Sequence, residues 1–153
     1  MMPSTSHWEN TVPIKQPVIA AALVALFAAP ALADPIEDRQ ALMKERGQIM
    51  RTLGPIAQGR QPFDAATVMA ALEDLNANAQ AHDVATLYPA GSEGGDAAAA
   101  IWTDMDGFRA ADERYKQGVA AALAAAPQDL DAFRASFGPA AQNCGACHES
   151  YRD

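Results

Sequence analysis

From Pro35 onward, apolar side chains recur at spacings of three, four and seven, the period of a helix that buries one face. Ile36, Met43, Met50 and Leu53 set such a stripe between Pro35 and Ala57, and Leu42, Ile49 and Ile56 widen it. Asp34 stands as N-cap, with Pro35 at the first helical position. Gly54-Pro55 is expected to kink or end this helix. A second helix is predicted from Ala65 to about Ala81, capped by Asp64, with Val68, Leu72 and Leu75 on its buried face and Met69 adding to it. The stretch from His82 to Asp96 contains Pro89, Gly91, Gly94 and Gly95 and is expected to be a loop. A third helix is expected from Ala97, capped by Asp96, to about Ala126. Pro127 separates it from a fourth, from about Asp129 to Tyr151, with an interruption near Gly138-Pro139. No period-two pattern occurs. The expected fold is all-α, an antiparallel four-helix bundle.

Composition sharpens this picture in one respect. Alanine is abundant in all four predicted helices, which favours helix formation. Large apolar residues are few. Either the helices pack tightly on alanine, or a large apolar object completes the core.

The N-terminal segment has a different character. Lys15 precedes an apolar run, Val18 to Ala29, followed by Pro30 and Ala31-Leu32-Ala33. A charged region, a short apolar region and a small-x-small site form the pattern of a cleaved export signal. The run of 12 residues falls short of the roughly 20 that span a bilayer. Residues 1–33 are therefore expected to be a signal peptide and residues 34–153 the mature domain, located in the periplasm. Met1 to Ile14 is long and polar for such a signal, which leaves the true start codon open. His7 and Trp8 lie in it and receive no role. The removed part carries one acid, Glu9, and one base, Lys15, so the net charge stays at −8. An acidic surface argues against nucleic acid and anionic lipid as partners and suits a basic redox partner.

The chemistry lies near the C-terminus, in Cys144-Gly145-Ala146-Cys147-His148. C-x-x-C-H is the attachment pattern of a c-type haem. Two thiols add across the two porphyrin vinyl groups, and the adjacent imidazole is an axial ligand of the iron. On a helix, Cys144, Cys147 and His148 share one face. These are the only two cysteines. A zinc site with three or four cysteine ligands is excluded within one chain. A zinc site using His148 with a second histidine such as His82 is strained, and a plain disulfide or inert thiols are the bland alternatives. The cofactor expected is one covalent haem c with its iron.

A C-terminal C-x-x-C-H on a four-helix bundle resembles the cytochrome c′ family and its low-spin relatives, the cytochromes c-556. The resemblance spans the mature chain. It rests on Arg39-Gln40-Ala41-Leu42-Met43-Lys44, Gly59-Arg60-Gln61-Pro62-Phe63-Asp64, Gly91 to Asp96 with Ile101-Trp102, and Cys144 to Arg152. It implies Cys144 and Cys147 as haem attachment residues and His148 as proximal ligand. It places Met43 on the distal side, as the sixth ligand in the c-556 type, where His/Met ligation raises the reduction potential. The alternative for Met43 is core filler. Met50, Met69 and Met105 are read as core.

The remaining site residues follow from the same resemblance. Arg39, four residues from Met43, is implied beside the haem propionates, where a guanidinium pairs with a carboxylate, and Gln40 as a haem contact. Glu93 to Asp96 form a turn in which Gly94 and Gly95 allow close backbone approach to a haem edge, and the counterpart of Asp96 lies beside the haem. Trp102 packs near the porphyrin or fills core. Arg152, four residues after His148, matches a basic residue beside the proximal pocket, or serves the helix dipole. Arg46 and Arg51 read as surface charges and His82 as solvent-exposed.

The function expected is one-electron transfer in the periplasm, with no enzymatic activity, exchanging electrons with other redox proteins as a monomer or homodimer. After signal cleavage no membrane association is expected. Two rivals stand beside it. One is a five-coordinate protein that binds nitric oxide or carbon monoxide at an open distal site. The other is a haem-free, metal-binding or structural bundle. No G-x-S-x-G, H-E-x-x-H or P-loop competes.

Overall fold

The computed structural model describes residues 34–153. The expected signal peptide and its cleavage site lie outside these residues. Six helices follow in order: α1 (Pro35–Ala57), α2 (Ala65–Ala81), α3 (Val84–Leu87), α4 (Ala100–Thr103), α5 (Met105–Ala124) and α6 (Leu130–Tyr151). The four long ones, α1, α2, α5 and α6, form the antiparallel bundle. Neighbouring packing runs α1 on α2, α2 on α5, and α5 on α6, and α1 also touches α6.

Aspartates start the helices. The Asp34 carboxylate accepts from Ile36 N at 2.9 Å, Asp64 from Thr67 N at 2.8 Å and Asp129 from Ala132 N at 2.8 Å. Each satisfies an N–H that has no partner within its helix. Pro55 lies inside the last turn of α1, which continues to Ala57, and α6 runs through Pro139 without a break.

The third helix departs from expectation. It does not begin at Ala97, and Asp96 caps nothing: the N-cap of α4 is Ala99, with no side-chain bond. A break then falls at Asp104, whose backbone leaves the helical region at φ −133° and ψ 54°. Its carboxylate accepts from Gly107 N at 3.2 Å, so Asp104 rather than Asp96 starts the long helix. Its other oxygen accepts from Tyr151 Oη at 2.8 Å, which ties the break to the end of α6. The stretch from His82 to Asp96 also holds the short helix α3, capped by Asp83 through Ala85 N at 3.0 Å.

The core has two parts. Leu53, Ile56, Val68, Leu72, Leu75, Tyr115, Val119, Phe133 and Phe137 fill the first, with Phe133 and Phe137 stacked at 5.1 Å. Val84, Leu87, Tyr88, Ile101 and Phe108 fill the second. Cys144 packs against the first part and Cys147 against the second. The C-x-x-C-H segment therefore sits where the two meet. Helices α5 and α6 approach closely at Gly118, where a Cβ would lie 3.3 Å from Ala140 Cα.

Candidate haem site

A cavity at this junction is lined by Met43 and Arg46 from α1, His82 at the end of α2, Phe108, Ala111, Asp112 and Tyr115 from α5, and Asn143, Cys144, Cys147 and His148 from α6. Four of the sequence-predicted residues, Met43, Cys144, Cys147 and His148, thus line one space. Helix α6 places the two thiols and the imidazole at i, i+3 and i+4. Both cysteines are free and half-buried. Burial pushes both thiols above their ordinary range. Partial burial, then the charges of Arg152 and Arg46, lower the His148 pKa and favour the neutral imidazole that binds metals.

Three cavity residues were missed by the helix pattern. His82, expected in solvent, is 2% exposed. Its Nδ1 lies 2.7 Å from Asp112 Oδ1 and its Nε2 lies 3.3 Å from Tyr88 Oη. Lys116 Nζ donates to Asp112 Oδ2 at 2.8 Å and to the His82 carbonyl at 2.7 Å. Burial alone would raise the Asp112 carboxyl, but the bonds from His82 and Lys116 outweigh it and hold the carboxyl below its usual range. Arg46, expected on the surface, is half-buried. Its Nε donates to Asn78 Oδ1 at 2.9 Å, its Nη1 lies 3.8 Å from Met43 Sδ, and its guanidinium lies 4.4 Å over the Tyr115 ring. The physical reason is the same in each case: a polar group enters the core when partners from other helices satisfy it. A signal was present. Arg46 falls between Met43 and Ile49 on the apolar stripe of α1, and Asp112 between Phe108 and Tyr115 on that of α5.

The other predicted residues lie beside the cavity or outside it. Arg39 is buried at 3% exposure and braces the loop after α3. Its Nη1 donates to Leu87 O at 3.1 Å and Ser92 Oγ at 3.3 Å, and its Nη2 to the carbonyls of Ser92 and Gly94, both at 2.8 Å. Its guanidinium lies over Tyr88 and Trp102, at 5.1 and 5.6 Å. The terminal nitrogens expected at the propionates are thus bonded to the loop. Burial raises the Tyr88 phenol to about 12, against the opposing charge of Arg39. Trp102 Nε1 donates to Pro89 O at 3.2 Å, and the half-buried ring joins the second part of the core. Gln40 is exposed and lies against Gly95, where a Cβ would come within 2.7 Å of its Nε2. Gly95 adopts φ +62°, a left-handed conformation that favours glycine. Glu93 and Asp96 are exposed. The Asp96 carbonyl accepts from Asp153 N at 3.2 Å. Arg152 is exposed and caps α6, its N–H donating to His148 O at 3.3 Å.

The donor set suits a covalently held haem. Two free thiols, one helical turn apart, stand beside an imidazole whose pKa is lowered and share their cavity with Met43, Phe108 and Ala111. Arg46 Nη2 and Tyr115 Oη, both on cavity-lining residues, are buried without a hydrogen-bond partner. Native interiors rarely leave such atoms unpaired, and a cavity that normally holds something explains them.

Comparison with known proteins decides the family. Residues 34–152 match the family model described as Cytochrome C′. The chain belongs to the cytochrome c′ family. It is 38% identical to a cytochrome c-556 of Agrobacterium fabrum over 118 residues, covering 76% of this chain and 80% of the relative. It is 34% identical to a cytochrome c′ of Alcaligenes xylosoxydans over 120 residues, covering 78% and 93%. A solved cytochrome c′ from Rhodobacter superposes with a TM-score of 0.71 at 31% identity, covering 77% of this chain and 94% of the other. An Alcaligenes xylosoxidans cytochrome c prime variant solved in the ferrous form with bound nitric oxide superposes at 0.70 with 33% identity, covering 78% and 94%. Members of this family carry one covalent c-type haem iron. This cytochrome is accordingly a c-type haem protein.

Proposed function

We propose that this cytochrome is a periplasmic one-electron carrier with His/Met ligation. Residues 1–33 are removed on export, and residues 34–153 form the working domain. Cys144 and Cys147 would hold the porphyrin through thioether bonds, and His148 and Met43 would be the ligands of its iron. The bound haem supplies a ferrous/ferric couple. The observation that carries the reading is that Met43 on α1 faces the same cavity as both thiols and His148 on α6. A neutral thioether suits the ferrous state and raises the potential. A clamp from two packed helices limits movement of the ligands between oxidation states. Gln40, Glu93, Asp96 and Trp102, grouped with Arg39 around the Gly94-Gly95 turn, form the rim that borders the porphyrin edge, and Arg152 flanks the proximal side. The acidic surface, at net charge −8, suits a basic redox partner.

The test is the visible spectrum of the haem-loaded protein, oxidised and dithionite-reduced, for wild type and Met43→Ala. Sharp α and β bands that collapse to a broad high-spin spectrum in the variant are expected. A broad spectrum already present in wild type and unchanged by the mutation refutes Met43 ligation. That outcome favours the second reading, an open distal site for nitric oxide or carbon monoxide. Its support is that similar structures, at 33% and 34% identity, are those of Alcaligenes xylosoxidans cytochrome c prime variants, one with nitric oxide and one with carbon monoxide bound.

A further inference from the structure

Arg46 is the cavity residue whose presence the electron-carrier reading leaves unexplained. A guanidinium stays charged at any physiological pH. Burying one without a counter-charge is costly, and leaving one of its nitrogens unpaired costs more. Yet Arg46 is held in place deliberately. Asn78, itself 4% exposed, accepts from Nε at 2.9 Å, and Asn78 Nδ2 is fixed in turn by Leu42 O at 3.1 Å and Glu45 Oε2 at 2.7 Å. The face of Tyr115 supports the guanidinium plane from below.

Among the described residues no carboxylate forms an ion pair with it. Glu45 is engaged by Asn78, and Asp112 already binds His82 and Lys116. Arg46 Nη2 and Tyr115 Oη therefore remain as two buried donors without acceptors, on residues that line one cavity. The contact of Nη1 with Met43 Sδ puts the arginine on the Met43 side of that cavity.

We propose that Arg46 and Tyr115 form a site for a small anion on the Met43 side of the haem. An anion that replaces the thioether on the ferric iron accepts a charge-assisted bond from Arg46 Nη2 and a second from Tyr115 Oη. Asn78 acts as a positioning residue that aims the guanidinium. The inference rests on the ligation proposed above in one respect, that His148 and Met43 define the two sides.

The experiment is a Soret titration of the ferric, haem-loaded protein with azide and, as a neutral ligand, with imidazole. It is made in the Met43→Ala background, where the iron is open whether or not Met43 normally binds it. Adding Arg46→Leu should weaken azide about 10- to 100-fold, the range of a lost charge-assisted bond. Imidazole affinity should change by less than about threefold, since a neutral ligand gains little from the charge. Tyr115→Phe in the same background should weaken azide by a smaller factor, about fivefold, as a neutral donor is lost. Arg46→Gln, which keeps donors but loses the charge, serves as the second variant should the leucine form fail to fold, and should also weaken azide selectively.

Azide binding that is unchanged by Arg46→Leu and Arg46→Gln overturns the proposal. So does an equal loss of azide and imidazole, which reports a damaged pocket. An unchanged azide affinity with a shifted Soret band and potential assigns the guanidinium to a haem propionate, again overturning it. Wild type binding azide as tightly as Met43→Ala refutes Met43 ligation alone, because the arginine comparison is made within the Met43→Ala background.

Discussion

Around Leu53, Leu72, Leu75 and Phe133 the interior is apolar, built from side chains that are fully buried and interlock between α1, α2, α5 and α6. Around Tyr88 and Phe108 the interior carries Arg39, Ser92, His82 and Asp112, each less than a tenth exposed. The first region is held by non-directional burial, which tolerates small shifts. The second is held by directional bonds between groups far apart in sequence, which fix loop, helix end and cavity wall at set distances. A cofactor site needs the latter. It also needs the former as a frame, since hydrogen bonds alone contribute only modestly to net stability.

The contrast can be tested at both ends. Phe133→Ala removes a side chain with no exposure from the apolar region, and should cost about 3–5 kcal/mol in chemical denaturation of the haem-loaded protein. The wild-type ligation spectrum should survive in the folded fraction. A loss below about 1 kcal/mol would show that the helices collapse to refill the space.

In the polar region, Asp112→Asn leaves Lys116 and His82 facing a neutral amide. A cost of about 2–4 kcal/mol at pH 7 is expected. The pH dependence gives a sharper signature. The folded Asp112 pKa lies below its ordinary 3.8, so its contribution is present above that value and is lost as pH falls through the folded pKa. Acid titration of stability below about pH 4 should therefore be shallower in the variant than in wild type. Parallel curves would remove Asp112 from the acid response.

The smallest effect is expected at Arg39. Arg39→Lys keeps the charge but cannot reach Leu87, Ser92 and Gly94 at once. A loss of about 1–2 kcal/mol is expected by thermal unfolding, with faster hydrogen exchange confined to residues 87–95. Exchange that quickens evenly across the bundle would mean that the loop and the helices unfold as one unit.

The two regions also differ in how far they could be read from the chain. The stripe Val68, Leu72 and Leu75 and the caps Asp34 and Asp64 follow local rules, and the structure has them as expected. That Cys144, Cys147 and His148 would share one space was legible from their helical spacing, and they line one cavity. The burial of His82 and Arg46 was not, because hydropathy assigns a polar residue to solvent. Their burial depends on Asp112 and Asn78, which lie 30 and 32 residues away in sequence. The break at Asp104 was missed for a related reason. An aspartate within a helical pattern reads as a surface acid, whereas here it caps α5 and receives Tyr151 from the end of α6.

Gly118 carries a consequence for how this chain can vary over time. Glycine gives up about 1 kcal/mol of helix propensity relative to alanine, and its backbone at 118 has no unusual conformation that would demand it. What it provides is clearance of α5 from Ala140, one helical turn before Cys144. A single added methyl at 118 would meet Ala140 at 3.3 to 3.5 Å, close enough that the two helices would have to part by a few tenths of an ångström there. Two of the three nearest Ala140 atoms, Cα at 3.3 Å and N at 3.5 Å, belong to the backbone, so a smaller residue at 140 would not make room for a larger one at 118, and the helix that carries Cys144 would itself have to yield.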